Sequence, residues 1–412
     1  MRANLFIAKT LGKGGTEEGR LGRSSSGIAG ISIAISVIIM ILTVAILDGF
    51  KKEIKLKASG FSGELVMHSP GVEITTSLYP VDTQYEYLKN IEKLNGVAAL
   101  YPFAYRSGVL KNGDEIQGVM IKGVNRDFDW TFFDSVMKEG SSSSIYSDSL
   151  GNQGIIISDR LAKMLGYSIG DAVIIYFIDN NVKVKRFRLS GIYDAQLEDI
   201  DKTLVLADLS AIQQLNGWSN NEVSGIEVRL NGGVDAERLA TDIENIILSS
   251  PEDTMFITRV DEMFPHLFDW FKLLDINVFI LLILMIAVAG FNMISGLLIL
   301  LFKKISMIGL LKALGMRDSD IHKIFMIRSM RIIVAGILIG NIVAFVLIFL
   351  QTKFNIVSLD VSNYFVDRVP MHIKWLKIAL LNIGAVVVIV LLLMIPSSFI
   401  SKLSPEKSLR VK

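Results

Sequence analysis

Four apolar runs, at residues 27–47, 276–302, 332–350 and 375–395, govern everything else in this sequence. A hydrocarbon core of about 30 Å takes roughly 20 helical residues to cross, and each run is about that long. Backbone polar groups inside lipid must bond within their own segment, so each run is expected to be a helix. No Asp, Glu, Lys, Arg or His lies deep in any of them. Ion-coupled carriers need such groups along their pathway, which argues against a secondary transporter. A signal peptide is the rival reading of the first run, but its apolar core would be about 7–15 residues, ending at a small-residue cleavage site. Here the run is longer and leads into Leu47-Asp48-Gly49-Phe50, so an uncleaved anchor is expected.

At 412 residues the chain is 51% hydrophobic, yet its apolar residues are concentrated, so a membrane part and a water-soluble part are both expected. Residues 48–275 read as the soluble part, inserted between the first and second spans. Period-two runs predict strands near 64–68, 97–101, 105–110, 116–122, 154–158, 172–193, 223–230 and 255–258. Helical spacing predicts helices over 84–93, 159–165, 208–215 and 235–248. Asn112-Gly113 is a hairpin signal, and Asp179-Asn180-Asn181 supplies a second turn. A polar loop, Ser141–Ser144, separates two related parts. The mixture predicts layered α+β packing and not a doubly wound sheet. Within the spans, Asn292, Asn341 and Asn382 are expected to bond across to other helices.

Orientation follows from the segment 303–331, which holds seven Lys/Arg against Asp318 and Asp320. A short, strongly basic loop between spans belongs on the cytoplasmic side, which puts both chain ends there and 48–275 outside. Ile308, Leu311 and Leu314 recur at helical spacing, with Ile305 and Leu310 beside them, and Gly315 offers a stop. A second helical run starts at Ser319. The result is a short helix with an apolar face at the membrane edge. It either rests among headgroups or is a knob gripped by a cytoplasmic partner.

Little else carries chemistry. A net charge of +1 gives no case for nucleic acid, and the absence of cysteine removes thiol catalysis and thiolate metal sites. His68, His266, His322 and His372 are far apart, so no metal site and no Ser-His-Asp arrangement is expected. Gly14 to Arg20 is similar to a phosphate loop, but Arg20 and Leu21 stand where Lys and Ser/Thr are required. No catalytic residues and no bound cofactor are therefore expected in this chain.

Several segments resemble those of one family. GLLKALGMRDSDIHKIFMI, from Gly309, resembles the coupling segment of the FtsX/MacB/LolC superfamily of ABC-transporter permeases, E-I-G-[IL]-L-[KR]-[AT]-[LM]-G-[AM] followed by a polar turn and I-x-x-[IV]-F. Met307 departs from it, standing where the family has an acidic residue. FIAKTL, ILDGFKKEIK, PFAYRSGVLKNGDEIQGVMIKGV, ISDRLAKMLGYSIGD, YFVDRVPMHIKW and IPSSFISKLSPEKSLRVK are similar, in order, to segments of the LolC/LolE branch. The resemblance covers nearly the whole chain. In LolC a long hook that captures a lipoprotein chaperone projects between two strands, but only IDNNVKVKR separates Phe177 and Phe187 here. Either capture occurs elsewhere, this subunit plays the part of the partner without the hook, or the substrate differs.

The resemblance implies a fold of four transmembrane helices plus a large extracytoplasmic α+β domain, MacB-like with two subdomains, between helices 1 and 2. The expected segments are a cytoplasmic amphipathic 1–26, spans at 27–47, 276–302, 332–350 and 375–395, a periplasmic domain at 48–275 and the coupling segment 303–331. A periplasmic loop at 351–374 and a cytoplasmic tail at 396–412 complete them. The implied function is a bacterial inner-membrane permease subunit driven by a separate ABC ATPase dimer, which binds the ATP and Mg. It would pair with a second permease subunit, identical or related, and extract lipoproteins from the membrane for a periplasmic chaperone. Residues Ile308, Gly309, Leu310, Leu311, Lys312, Ala313, Leu314, Gly315 and Met316 would form the ATPase-coupling site. The competing implications are an FtsX-like signalling subunit acting on cell-wall hydrolases and a MacB-like efflux permease.

Overall fold

The computed structural model describes residues 17–70, 79–146, 154–178, 182–360 and 364–397. The N-terminal amphipathic turns, the Asp179-Asn180-Asn181 turn and the basic C-terminal tail lie outside these residues. The chain divides into two compact units: Met1–Lys52, Trp270–Ser358 and Arg368–Lys412 form one, and Glu53–Asp269 with Leu359–Asp367 form the other. The short segment Leu359–Asp367, read from sequence as part of the loop between the third and fourth spans, thus counts with the soluble unit. The first helix, α1 (Glu17–Ser62), has residues in both. Its charged turns after Asp48 continue the helix, and no Pro interrupts them.

The soluble unit is built on strands β1 (Leu65–His68), β2 (Val81–Asp82), β3 (Val97–Asn112), β4 (Glu115–Val124), β5 (Met137–Gly140) and β6 (Gly154–Ser158). Six more follow: β7 (Ala172–Ile178), β8 (Val182–Tyr193), β9 (Leu204–Asp208), β10 (Glu222–Val223), β11 (Gly225–Leu230) and β12 (Phe256–Arg259). Ten of these form one sheet with the path β12-β1-β11-β3-β4-β9-β6-β8-β5, β7 joining β3 and β8; β2 and β10 pair apart. Pairs β4·β9 and β6·β8 are parallel and the rest antiparallel. Strands from before and after the Ser141–Ser144 loop interleave, so the two parts legible in sequence share one sheet. The two strands expected at 97–101 and 105–110 are a single one, β3, which passes through Pro102. At Pro102 the strand has β11 on one side while its pairing with β4 begins only at Phe103, so the missing N–H costs no ladder bond there.

Alternation along the strands divides the core. Leu65, Met67, Ala104, Ile155 and Ile157 face one cluster; Val66, Phe103, Tyr105 and Ile156 face the other. Helices α2 (Glu86–Glu92), α4 (Asp159–Leu165), α6 (Leu209–Asn216) and α7 (Ala236–Leu248) cover the first face. Helices α3 (Thr131–Val136) and α5 (Glu198–Asp201) lie with the end of α1 on the second. Asp208 and Asp235, N-caps of α6 and α7, accept the Ser210 and Glu237 amides, as their types and positions predict. Helix α8 (Val260–Met263) follows β12.

The other unit holds α9 (Pro265–Lys303), α10 (Ile305–Ala313), α11 (Asp318–Phe354) and α12 (Trp375–Ser397). With α1, the helices α9, α11 and α12 are the four among the described residues long and apolar enough to cross a membrane. The helical run at Ser319 and the third span are one helix, because Arg328 and Arg331 interrupt the apolar run without breaking the backbone pattern. Helix α11 packs against α1 through Gly336 and Gly340: a Cβ on either would lie 2.9 Å from a carbonyl oxygen, that of Gly30 or of Ala34. This close approach of small residues is a GxxxG contact. Across α11 and α12, Asn341 and Asn382 exchange two amide bonds of 3.1 and 3.0 Å, and Asn292 of α9 donates to Ser32 of α1.

Candidate coupling site

Helix α9 ends at Lys303, and Lys304 departs from helical geometry at φ −110° and ψ 15° before α10 starts. Helix α10 then closes on a Schellman turn. The Met316 amide donates back to the Leu311 carbonyl at 3.0 Å and the Gly315 amide to Lys312 at 3.0 Å. Gly315 takes φ +86°, which an L side chain would resist, and so supplies the reversal that the sequence placed there. Helix α11 begins at Asp318, where the carboxylate meets the Lys312 ammonium at 2.8 Å across the turn. The turn is thereby braced by two backbone bonds and one ion pair.

The nine sequence-predicted residues separate into an inner and an outer set. Ile308 and Gly309 are buried, Leu311 and Met316 pack against the spanning-helix cluster, and Lys312 lies half-buried in its ion pair. Leu310, Ala313, Leu314 and Gly315 face outward, with Leu314 76% exposed and Leu310 53%. The single apolar face expected from Ile308, Leu311 and Leu314 is therefore corrected. Leu314, the C-cap, still donates its amide to the Leu310 carbonyl at 3.0 Å, so the two stack one turn apart on the outward side while Ile308 and Leu311 turn inward. Helix α10 is apolar nearly all round, and periodicity alone does not choose which side turns inward. The exposed surface is thus an aliphatic pair flanked by Arg317.

At its other end, inside the soluble unit, α1 is fixed by buried cations. Lys122 donates to the Phe61 carbonyl and pairs with Glu227; Arg229 donates to the carbonyls of Ser59 and Gly60. The last carbonyls of a helix have no partner within it, so these side chains satisfy them and complement the dipole. Lys122 and Glu227 are fully buried, and the Lys122 ammonium sits 5.1 Å from the Phe128 ring centre and 5.7 Å from that of Phe103. Burial pushes the Lys122 ammonium below the usual lysine range, and Glu227 opposes that shift. Phe61 itself stands among Phe132, Phe133 and Tyr193, with ring centres 5.0, 5.6 and 6.1 Å away. Nothing in the reading of the sequence marked these residues. The one available signal is the lone Lys122 within the apolar strand Val119–Val124.

Two further features bear on ligands. Between α1 and α11 runs an apolar groove of about 630 Å³, lined by Gly30, Ala34, Ile35, Ala335 and Ile339 among others, with Arg331 its charged member. In the soluble unit, Ile178 pairs with Val182, so only three residues connect β7 to β8 and the hairpin is short. Its exposed face is aliphatic, with Ile178, Val182 and Val184 more than half exposed. Among the described residues no group of His, Asp and Glu could hold a metal ion.

Residues 26–246 match the family model of a MacB-like periplasmic core domain, and residues 279–405 match that of an FtsX-like permease C-terminal region. The lipoprotein-releasing system transmembrane protein LolC of Neisseria meningitidis serogroup B is 25% identical over 401 residues, covering 93% of this chain and 92% of that protein. The corresponding LolE of Haemophilus influenzae is 22% identical over 408 residues, 92% of each chain. Of solved structures, the periplasmic region of MacB from Actinobacillus actinomycetemcomitans superposes with a TM-score of 0.35 at 15% identity, covering 49% of this chain and 91% of that one.

Proposed function

This chain belongs to the family that joins a MacB-like periplasmic core domain to an FtsX-like permease C-terminal region, and we propose that it is the permease subunit of an ABC transporter whose ATPase is a separate chain. The observation that carries the reading is the braced turn after α10. Leu310 and Leu314 stand out from a basic segment, and the turn beneath them is tied by a Schellman motif and the Lys312–Asp318 pair. A partner that grips this pair moves α10 and the start of α11 together, because the turn resists independent bending. The partner ATPase holds the ATP and Mg, and its two nucleotide states supply the two positions that coupling requires. The basic loop and both chain ends lie in the cytoplasm, and the soluble unit lies outside the inner membrane.

The cargo in this reading is a lipid-anchored protein, as the names of the LolC and LolE relatives indicate for those proteins. The groove between α1 and α11 offers an acyl chain an apolar wall. A second permease subunit, identical or related, completes the transporter. The test is to express Leu314→Asp with a tagged chain and its ATPase. The variant inserts into the membrane normally and loses co-purification of the ATPase, whereas the purified wild-type chain alone hydrolyses no ATP. Undiminished co-purification, or robust hydrolysis by the lone chain, overturns the reading.

A further inference from the structure

Helix α11 starts at the coupling turn and ends at Phe354, where Asn355 turns left-handed at φ 48°. The Gln351 side chain pins this exit: its Nε2 donates to the Val357 carbonyl and its Oε1 accepts the Val357 amide, both at 3.0 Å. The chain then contributes Leu359–Asp367 to the soluble unit before it returns toward α12. That short stretch is closed by the Leu359 amide donating to the Asp367 carbonyl at 2.9 Å. Phe365 packs against the aromatic cluster around Phe61, and Val366 is buried.

One side chain holds the stretch in place. Lys57, on α1 and 7% exposed, donates from Nζ to the Phe365 carbonyl at 2.8 Å and to Gln196 Oε1 at 3.0 Å. Both partners are non-glycine residues in the left-handed region, Phe365 at φ 60° and Gln196 at φ 62°. Such backbones are strained and persist only where surrounding contacts over-determine them. Here those contacts converge on one ammonium, with the carboxylates of Glu53, Asp194, Asp201 and Asp367 around it to balance its charge.

We propose that Leu359–Asp367 is a clasp that fastens the far end of α11 to the soluble unit, with Lys57 as its positioning residue, so that motion begun at the coupling turn reaches that unit through α11 as well as through α1 and α9. The transmitting role rests on the coupling reading above; the fastening does not. A charge-assisted bond is among the stronger ones, so loss of the ammonium opens the clasp roughly tenfold or more often.

The experiment is hydrogen exchange by mass spectrometry on the full-length chain in complex with its ATPase, with and without ATP and Mg, comparing wild type with Lys57→Met. Methionine keeps the apolar stem and deletes the donor. Exchange at 359–367 rises about tenfold in the variant, and the nucleotide-dependent change around Gln196 seen in the wild type is lost. Phe365→Ala opens the clasp from its other side and gives the same pattern, while unchanged exchange in β3 and β4 reports intact folding. Unaltered exchange at 359–367 in both variants overturns the clasp. Faster exchange with an undiminished nucleotide response around Gln196 overturns its transmitting role and leaves a static fastening. A wild-type complex with no nucleotide response in either place overturns the coupling reading, and with it the transmission.

Discussion

Lys122 and Glu227 are two strands apart in the sheet and meet under the end of α1, where no water competes for either charge. Removing one member of such a pair leaves the other charge uncompensated, at about 3–5 kcal/mol. Lys122→Ala is therefore expected to lower the unfolding midpoint of the soluble unit in the full-length protein sharply. The double replacement Lys122→Met with Glu227→Leu recovers most of that loss, and an equally unstable double variant would refute the account. Asp201 shows the opposite side of burial. Desolvation and then the neighbouring Asp194 carboxylate push its carboxyl up to about 6. The folded state thus holds the proton more tightly than the unfolded chain, and stability present at low pH is lost as pH rises from about 4 through 6. Asp201→Asn keeps an acceptor for the Leu197 amide and removes the titrating carboxyl. Its stability relative to wild type should rise between pH 4 and 7, by up to about 3 kcal/mol, and stay level above. A pH-independent difference would count against that shift.

Among the elements, α11 does the most varied work: its first turn closes the coupling turn, its middle packs on α1, and its end leads into the clasp. The middle depends on Gly336 and Gly340, because the atoms a Cβ would meet at 2.9 Å are backbone oxygens that cannot swing aside. Gly336→Leu is expected to force α1 and α11 apart at a cost of about 1–3 kcal/mol or more, as overpacking does. Thermal stability in detergent should fall clearly, while Gly384→Leu, at a position open to space, should be nearly silent. Equal effects would mean that the α1–α11 contact is not specific. The spacing Gly336-Ile-Leu-Ile-Gly340 was open to view in the sequence as a helix-packing signal. The Asn341–Asn382 pair was anticipated in kind but not in partner, since hydropathy shows that an amide is buried and not which helix faces it.

For the molecule as a whole, side-of-membrane assignment is the claim on which coupling depends. The sequence has no cysteine, so single introduced thiols report cleanly. An impermeant thiol reagent applied to cells with an opened outer membrane but an intact inner one should label Glu115→Cys, on the exposed β3–β4 turn, and leave Gly315→Cys unlabelled until the inner membrane is broken. The reverse pattern would place the coupling turn outside and end the proposed mechanism. At this scale the four spans and the inserted α+β unit were legible from hydropathy and period-two runs. The strand order was not: β11 pairs with β3, with β1 and β12 beyond it, although more than a hundred residues separate Tyr101 from its partner Glu227.

The sequence by itself determined most of the longer strands and helices, the four helices long enough for a bilayer, the Gly315 turn and the basic segment around it. Each of these is set by side chains within a few residues of one another. Tertiary structure alone decided which side of α10 faces out, how two runs of strands interleave into one sheet, what caps the end of α1, and where Leu359–Asp367 is fastened. Those outcomes depend on groups distant in the chain meeting where water is excluded, and local patterns of polarity carry no record of such meetings.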